Sequence, residues 1–234
     1  MKGIKCILLD CMETLVDLTE LPTLREYASW GFEGSGVEHH WESFDGFFDT
    51  YKTVRNRMND SLPEYTEYEM HDRFLQVVRE NPGITPDIAE RITNSLDETY
   101  WRNYSSKCYV KDDVSHVLHH LASKYRLGVV SNFMVKGGIE QLLERNGIID
   151  CFDFIVVSVD EGWRKPHSNI YYSALKQAKA SGEEILFFGD DYMNDYVQPR
   201  KLGMSSILLD RYGRHPEIKD RVKDFYEFGK LFTE

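Results

Sequence analysis

The sequence predicts an α/β protein: a parallel sheet core of about five strands with helices on both faces, and a helical subdomain inserted near its start. Three observations carry this. Short apolar runs rich in Ile, Val, Leu and Phe recur at 4–9, 127–130, 154–157, 185–188 and 206–209, each of the length and character of a buried strand. Helix-length segments with periodic apolar positions alternate with the later runs, the pattern of parallel strands joined by crossover helices. Between the first run and the second lies a long stretch of different texture, residues 16–109.

The run 4–9 is broken by Lys5 and stopped by Asp10. It is too short for a signal segment or a membrane span. The insertion carries helical stretches at 47–58 and 70–79, then a turn-rich joint, Asn81-Pro82-Gly83-Ile84-Thr85-Pro86. A further helix runs from Asp87 toward Trp101, with Thr85 or Asp87 as its cap. Trp30, Trp41 and Trp101 fall in this stretch with many of the tyrosines. They are read as the core of a small helical subdomain, with a wall facing a substrate as the alternative. Beyond it, Val114, Val117, Leu118 and Leu121 mark one helix; Ile139, Leu142 and Leu143 mark a second. Ile170, Tyr171, Ala174, Leu175 and Ala178 mark a third. The expected organisation is a core from 1–15 and 110–234 and a helical cap from 16–109.

Across 234 residues, 28 Lys and Arg against 39 Asp and Glu leave a net charge of -11, a field that repels nucleic-acid backbones and anionic membranes. Neither is expected as a partner, and a cytoplasmic location is expected. With 41% hydrophobic and 29% charged residues the chain can bury a substantial core, so disorder is excluded. Cys6, Cys11, Cys108 and Cys151 form no C-x-x-C pair and no zinc spacing, and are read as reduced packing residues.

Ligands in open α/β sheets bind beyond the carboxyl ends of the strands. Asp10 follows the first run, Ser131-Asn132 the second, and Ser158 the third, with Lys165-Pro166 a loop later. Gly189-Asp190-Asp191 follows the fourth, with Asn194-Asp195 shortly after. Taken singly, an Asp after a strand is usually a cap or turn former. Four successive strand ends that each supply a carboxylate, hydroxyl or ammonium describe a site for a divalent cation and a phosphoryl group. Crowded carboxylates repel unless a cation lies among them, and hard oxygen ligands suit Mg²⁺.

These residues resemble the haloacid dehalogenase-like hydrolase superfamily, whose four motifs appear in order along nearly the whole chain. They are Leu8-Leu9-Asp10-Cys11-Met12-Glu13-Thr14-Leu15, Val129-Val130-Ser131-Asn132, Lys165-Pro166, and Gly189-Asp190 through Asp195. The resemblance implies a Rossmann-like core, a cap that selects the substrate, and a hydrolase acting on a small phosphorylated metabolite as monomer or homodimer. It implies Asp10 as nucleophile and Mg²⁺ held by Asp10, the Met12 carbonyl and Asp190. Ser131 and Asn132 would bind phosphoryl oxygens, Lys165 would offset negative charge, and Asp195 would support the metal shell or orient Lys165.

The sequence departs from the family pattern at Met12, where phosphatases carry a second Asp that protonates the leaving oxygen and activates water. A thioether does neither. Glu13, where the family often has Gly, is a candidate replacement, and otherwise a solvated turn residue. Asp17, Asp191 and the histidines are further candidates on paper, with His39-His40 and His119-His120 read as surface pairs and His167 as loop structure. Two other functions remain open. Family dehalogenases also lack the second Asp, and Arg25, Arg55 or Trp30 would then cradle halide. A catalytically impaired scaffold would bind a ligand or a protein instead.

Overall fold

The computed structural model describes residues 3–232. Its main sheet uses β1 (Cys6–Leu9), β4 (Arg126–Ser131), β5 (Phe154–Val157), β6 (Ile185–Gly189), β7 (Ser205–Leu209) and β8 (Arg221–Val222), in the order β5-β4-β1-β6-β7-β8. All neighbours are parallel. A two-stranded antiparallel ribbon pairs β2 (Asp17–Leu18) with β3 (Cys108–Tyr109). The five expected strands are all present. The sixth, β8, is two residues long, too short for any periodicity to announce it.

The alternation of β1 assigns the two faces of the sheet. Ile7 and Leu9 pack into a large apolar cluster with Val114, Val117, Leu118 and Leu121 of α5 (Asp112–Ala122), Ile139, Leu142 and Leu143 of α6 (Gly138–Arg145), and Phe225 and Phe228 of α10 (Phe225–Lys230). Cys6 and Leu8 face the opposite way, onto Ile170, Tyr171, Ala174 and Ala178 of α8 (Ser168–Ala178). The helices therefore cover both faces. The four cysteines are free and buried.

The insertion folds as α1 (Leu24–Phe32), α2 (Phe44–Ser61), α3 (Met70–Arg79) and α4 (Pro86–Ser106). Thr85 is the residue before α4, and Pro86 opens it, where a missing N–H costs nothing. The helix α1, absent from the sequence reading, begins with a capping box in which Thr23 and Glu26 satisfy each other's backbone N–H groups. It packs on α4 and α2, and Gly31, whose missing β-carbon leaves room for the Phe74 ring, brings that ring of α3 against it. Trp30 and Trp101 pack against Tyr104, and Trp41 against Phe32 and Phe47, so all three tryptophans serve the aromatic core of this helical cap.

The β2–β3 ribbon is the stem through which the chain leaves and re-enters the sheet domain. Two further ties run from cap to core. Met70 N–H donates to the Met134 carbonyl at 2.9 Å, and residues 65–67 pair with 162–164 through Glu67 N–H to Gly162 O at 3.0 Å and Arg164 N–H to Tyr65 O at 2.9 Å. Both ties land on loops just beyond β4 and β5, next to Asn132 and Lys165. No helix among the described residues is long and apolar enough to cross a membrane.

Candidate active site

Because β1, β4 and β6 are adjacent and parallel, the residues that follow them converge on one edge. Asp10 N–H donates to the Phe188 carbonyl at 2.9 Å, which holds the Asp10 backbone in register beside β6. The Lys165 ammonium lies between two carboxylates, 2.6 Å from Asp10 Oδ1 and 2.7 Å from Asp195 Oδ1. All three side chains are buried. Asn132 fixes the backbone of this lysine from both sides: its Oδ1 accepts from Lys165 N–H at 2.6 Å and its Nδ2 donates to the Lys165 carbonyl at 3.0 Å. The structure thus gives Asn132 a positioning contact through Lys165.

Asp190 accepts from the Thr14 hydroxyl at 3.2 Å. One oxygen from each of Asp10, Asp190 and Asp195 lies within 4.8 Å of the others. Burial raises the Asp190 carboxyl well above its usual range, reinforced by the charges of Asp10, Asp195 and Glu13. Burial raises Asp195 as well, against the pull of Lys165. The lysine is the mirror case: burial disfavours its charge, but Asp10 and Asp195 outweigh burial and hold the ammonium above its ordinary range. Such a cluster is short of positive charge, and its donors are hard oxygens of the kind that hold Mg²⁺. Ser131 is fully buried, and its Oγ has no hydrogen-bond partner among the described residues, an arrangement that is expensive unless a ligand oxygen fills it.

Met12 is half-buried and leans against the apolar cluster. Glu13 adopts φ 61°, the left-handed region that favours glycine and is a strain of about 1 kcal/mol for other residues. Burial, then the charges of Asp10 and Asp17, raises its carboxyl. Of the remaining candidates, Asp17 accepts two bonds from Arg211 and an ion pair from Lys111. Asp191 caps the short segment 192–197 through Met193 and Asn194 N–H. His167 caps α8 and stacks on Trp163. These three have structural employment.

A cavity of about 490 Å³ opens between cap and core, lined by Met12, Glu13 and Asn132 below and by Tyr27, Tyr100 and Tyr104 above. Arg55 also lines it, whereas Arg25 and Trp30 are not among its lining residues. Arg25 instead pairs with Asp45 on the outside of the cap, so two of the three halide-cradle candidates lie elsewhere. Arg73, Arg164 and Glu67 line the cavity too. The sequence reading gave none of the three a role: Arg73 and Glu67 follow no motif or strand end, and Arg164 stands in the third motif only as the neighbour of Lys165.

A sequence model of the haloacid dehalogenase-like hydrolase family matches residues 40–209, a stretch that includes Ser131, Lys165, Asp190 and Asp195. Haloacid dehalogenase-like hydrolase domain-containing protein 3 of Xenopus laevis is 36% identical over 98 residues, 42% of this chain and 37% of that protein's length. The chain thus spans well under half of that relative. The glyceraldehyde 3-phosphate phosphatase of Pyrococcus abyssi is 30% identical over 225 residues, covering 90% of this chain and 83% of that one. The crystal structure of a 2-haloacid dehalogenase from Pseudomonas syringae pv. Tomato superposes with a TM-score of 0.81 at 18% identity, over 98% of each chain. It is a likeness of fold.

Proposed function

From the premise that this chain belongs to the haloacid dehalogenase-like hydrolase family, we propose that it is a Mg²⁺-dependent phosphatase that uses Asp10 as nucleophile on a small phosphorylated metabolite. One observation carries the reading. Asp190, a carboxylate whose charge is disfavoured by burial, stands beside Asp10, while the unpartnered Ser131 hydroxyl is buried at the end of the neighbouring strand. A site for carbon–halogen cleavage, which needs no cation, gains nothing from a third, half-buried carboxylate beside Asp10 and Asp195.

Asp10, Asp190 and the Met12 carbonyl would hold Mg²⁺, which when bound neutralises the phosphoryl oxygens and aligns them for attack. Asp10 attacks phosphorus, the bond to the leaving oxygen breaks, and an aspartyl-phosphate forms that water then hydrolyses to orthophosphate. Ser131 donates to a phosphoryl oxygen. Lys165 offsets charge on Asp10 and that group, and Asp195 and Asn132 hold Lys165 in place from its side chain and its backbone. Asp195 therefore orients the lysine. Met12 offers no proton, so the leaving oxygen takes one from solvent, and the enzyme favours esters whose leaving group departs as a stable anion. Positioned acid–base catalysis is worth about 10² to 10⁴ in rate, or about 3 to 5 kcal/mol. The proposed core is 1–15 and 110–234 and the cap 16–109. Four free buried cysteines support a reducing, cytoplasmic setting, with the chain acting as monomer or homodimer.

The test is hydrolysis of 4-nitrophenyl phosphate with and without Mg²⁺, beside the Asp10→Asn variant. Turnover that requires the metal and vanishes in the variant supports the reading. Release of halide from a 2-haloacid, with no phosphate released from the aryl ester, would replace it with the dehalogenase.

A further inference from the structure

The cap–core cavity is edged by three arginines, Arg55, Arg73 and Arg164. Six arginines elsewhere in the chain pair with carboxylates, among them Arg25 with Asp45, Arg126 with Asp153, Arg200 with Asp220 and Arg211 with Asp17, while Arg102 and Arg145 bond to backbone carbonyls instead. Among the described residues, none of the three at the cavity takes part in an ion pair. Arg55 and Arg164 are half-buried.

Arg73 is the telling member. It sits on α3 and is only 6% exposed. Its Nη1 donates to the Tyr51 hydroxyl at 2.8 Å and its Nη2 to the Tyr68 hydroxyl at 2.6 Å, with the Met134 thioether at 3.4 Å. Its Nε is buried and has no partner among the described residues. A guanidinium taken out of water without a countercharge is strongly disfavoured. Two phenols and a sulfur hold its geometry but supply no negative charge. Glu67, the acidic residue lining the cap side of the cavity, accepts from the Ser158 hydroxyl through Oε2 at 2.8 Å, and its Oε1 is buried with no partner among the described residues. Glu13 lies on the Asp10 side. In a chain of net charge -11, a cationic wall facing the reactive edge stands out against the general field and favours anions locally.

We infer that Arg73, with Arg55 and Arg164, binds a second anionic group on the leaving-group portion of the substrate, so that the cavity selects phosphoesters carrying another negative charge over neutral ones. The inference rests on the phosphatase reading for the word phosphoester, but not for the anion-binding itself. A planar guanidinium whose terminal nitrogens are already oriented presents its remaining N–H groups to a carboxylate or phosphate with little further ordering. Arg73 is in this role a specificity residue that never touches the transferred phosphoryl group.

The experiment compares 4-carboxyphenyl phosphate with 4-carbamoylphenyl phosphate, which match in shape and differ by one charge. Affinity is measured by calorimetry on Asp10→Asn protein, and kcat/KM on the unmodified enzyme. The carboxylate probe is expected to bind about tenfold or more tightly, the worth of one charged hydrogen bond. Arg73→Gln should bring the ratio between the probes close to one, and Arg73→Lys should restore part of it. Arg164→Gln, at a side chain with no hydrogen-bond or ion-pair partner among the described residues, should lower the ratio without disturbing the fold, which keeps the test valid if Arg73 variants unfold. Equal affinity for both probes, or a ratio unmoved by all these variants, overturns the inference. Selective binding of the carboxylate probe without turnover of either would instead overturn the phosphatase reading and leave the anion site standing.

Discussion

The Asp195 carboxylate occupies the space that a β-carbon on Gly189 would fill. The two residues lie on either side of Asp190, and the side chain of one packs directly onto the backbone of the other. In that position Asp195 accepts from Asp191 N–H at 3.1 Å and reaches Lys165. The Gly-Asp spacing is thus a packing requirement for the ion pair that holds the lysine. Gly189→Ala must push Asp195 aside, at a cost of about 1–3 kcal/mol. It should lower both the melting temperature and kcat, whereas Gly46→Ala, at an exposed position inside α2, should leave kcat unchanged and raise the melting temperature. Unchanged activity in the Gly189 variant would show that Asp195 is free to relocate.

The strand-end residues were legible because a parallel sheet aligns its carboxyl ends regardless of what the loops do. Asp10, Ser131, Lys165, Asp190 and Asp195 could be placed together from periodicity and motif order alone. The cap obeyed no such rule. Helices α3 and α4 declared themselves by period and turn chemistry, yet which face of α3 looks into the cavity depends on how it packs against α2 and α4. Arg73 reads in sequence as an ordinary surface cation, and only the positions of Tyr51 and Tyr68 make it a buried one. Helix α1 had a legible start in Thr23 and Glu26, but its short apolar stripe, Ala28, Gly31 and Phe32, gave the periodicity too little to work with. Met12 was legible as a departure, and its consequence is chemical.

On the proposed reading, Asp190 pits stability against metal binding. Its ionised form is disfavoured by burial and by Asp10, Asp195 and Glu13. A carboxyl raised in the folded state contributes stability that is full below the pH at which the unfolded chain releases its proton, and that is lost as pH rises from there through its folded value. At pH 8 in a chelator, Asp190→Asn should therefore raise stability, by on the order of 1 kcal/mol. With saturating Mg²⁺ the order should reverse, because the native protein gains from binding, about 2.7 kcal/mol at a hundredfold excess over Kd, while the variant gains little. Thermal unfolding in both buffers tests this. A variant that still responds fully to Mg²⁺ would remove Asp190 from the metal site.

The cap carries its own pH dependence. His71 on α3 meets Asp97 on α4 through Nδ1 and Glu90 through Nε2 at 3.3 Å. Burial raises the Asp97 carboxyl to about 6, with His71 lowering it and Glu69 and Glu90 raising it. The folded chain therefore holds a proton there that the unfolded chain releases near pH 4. Stability from this site is full below that point and declines as pH rises toward 6. Asp97→Asn should flatten that decline and stabilise the protein at pH 8 by on the order of 1–3 kcal/mol. Denaturant unfolding between pH 4.5 and 8 is the measurement, each buffer value chosen to bracket about two units. An unchanged slope would mean that Asp97 is already ionised throughout.

On the proposed reading, in which Met12 stands where a phosphatase carries its acid–base carboxylate, a prediction about leaving groups follows. Without a positioned proton, the rate should fall steeply as the leaving alcohol becomes more basic, because charge accumulates on the departing oxygen. Met12→Asp places a carboxyl on the half-buried side chain that already lines the cavity beside Glu13. Its kcat should rise by about 10² or more on alkyl phosphates and change little on 4-nitrophenyl phosphate, so that a plot of log kcat against leaving-group pKa becomes shallower. The pH–rate profile of the variant should gain an alkaline limb, where the new acid has lost its proton. A uniform rise across all leaving groups would point to better placement of the metal or substrate. No rise at all would mean that Glu13, or another group in the cavity, already performs the transfer.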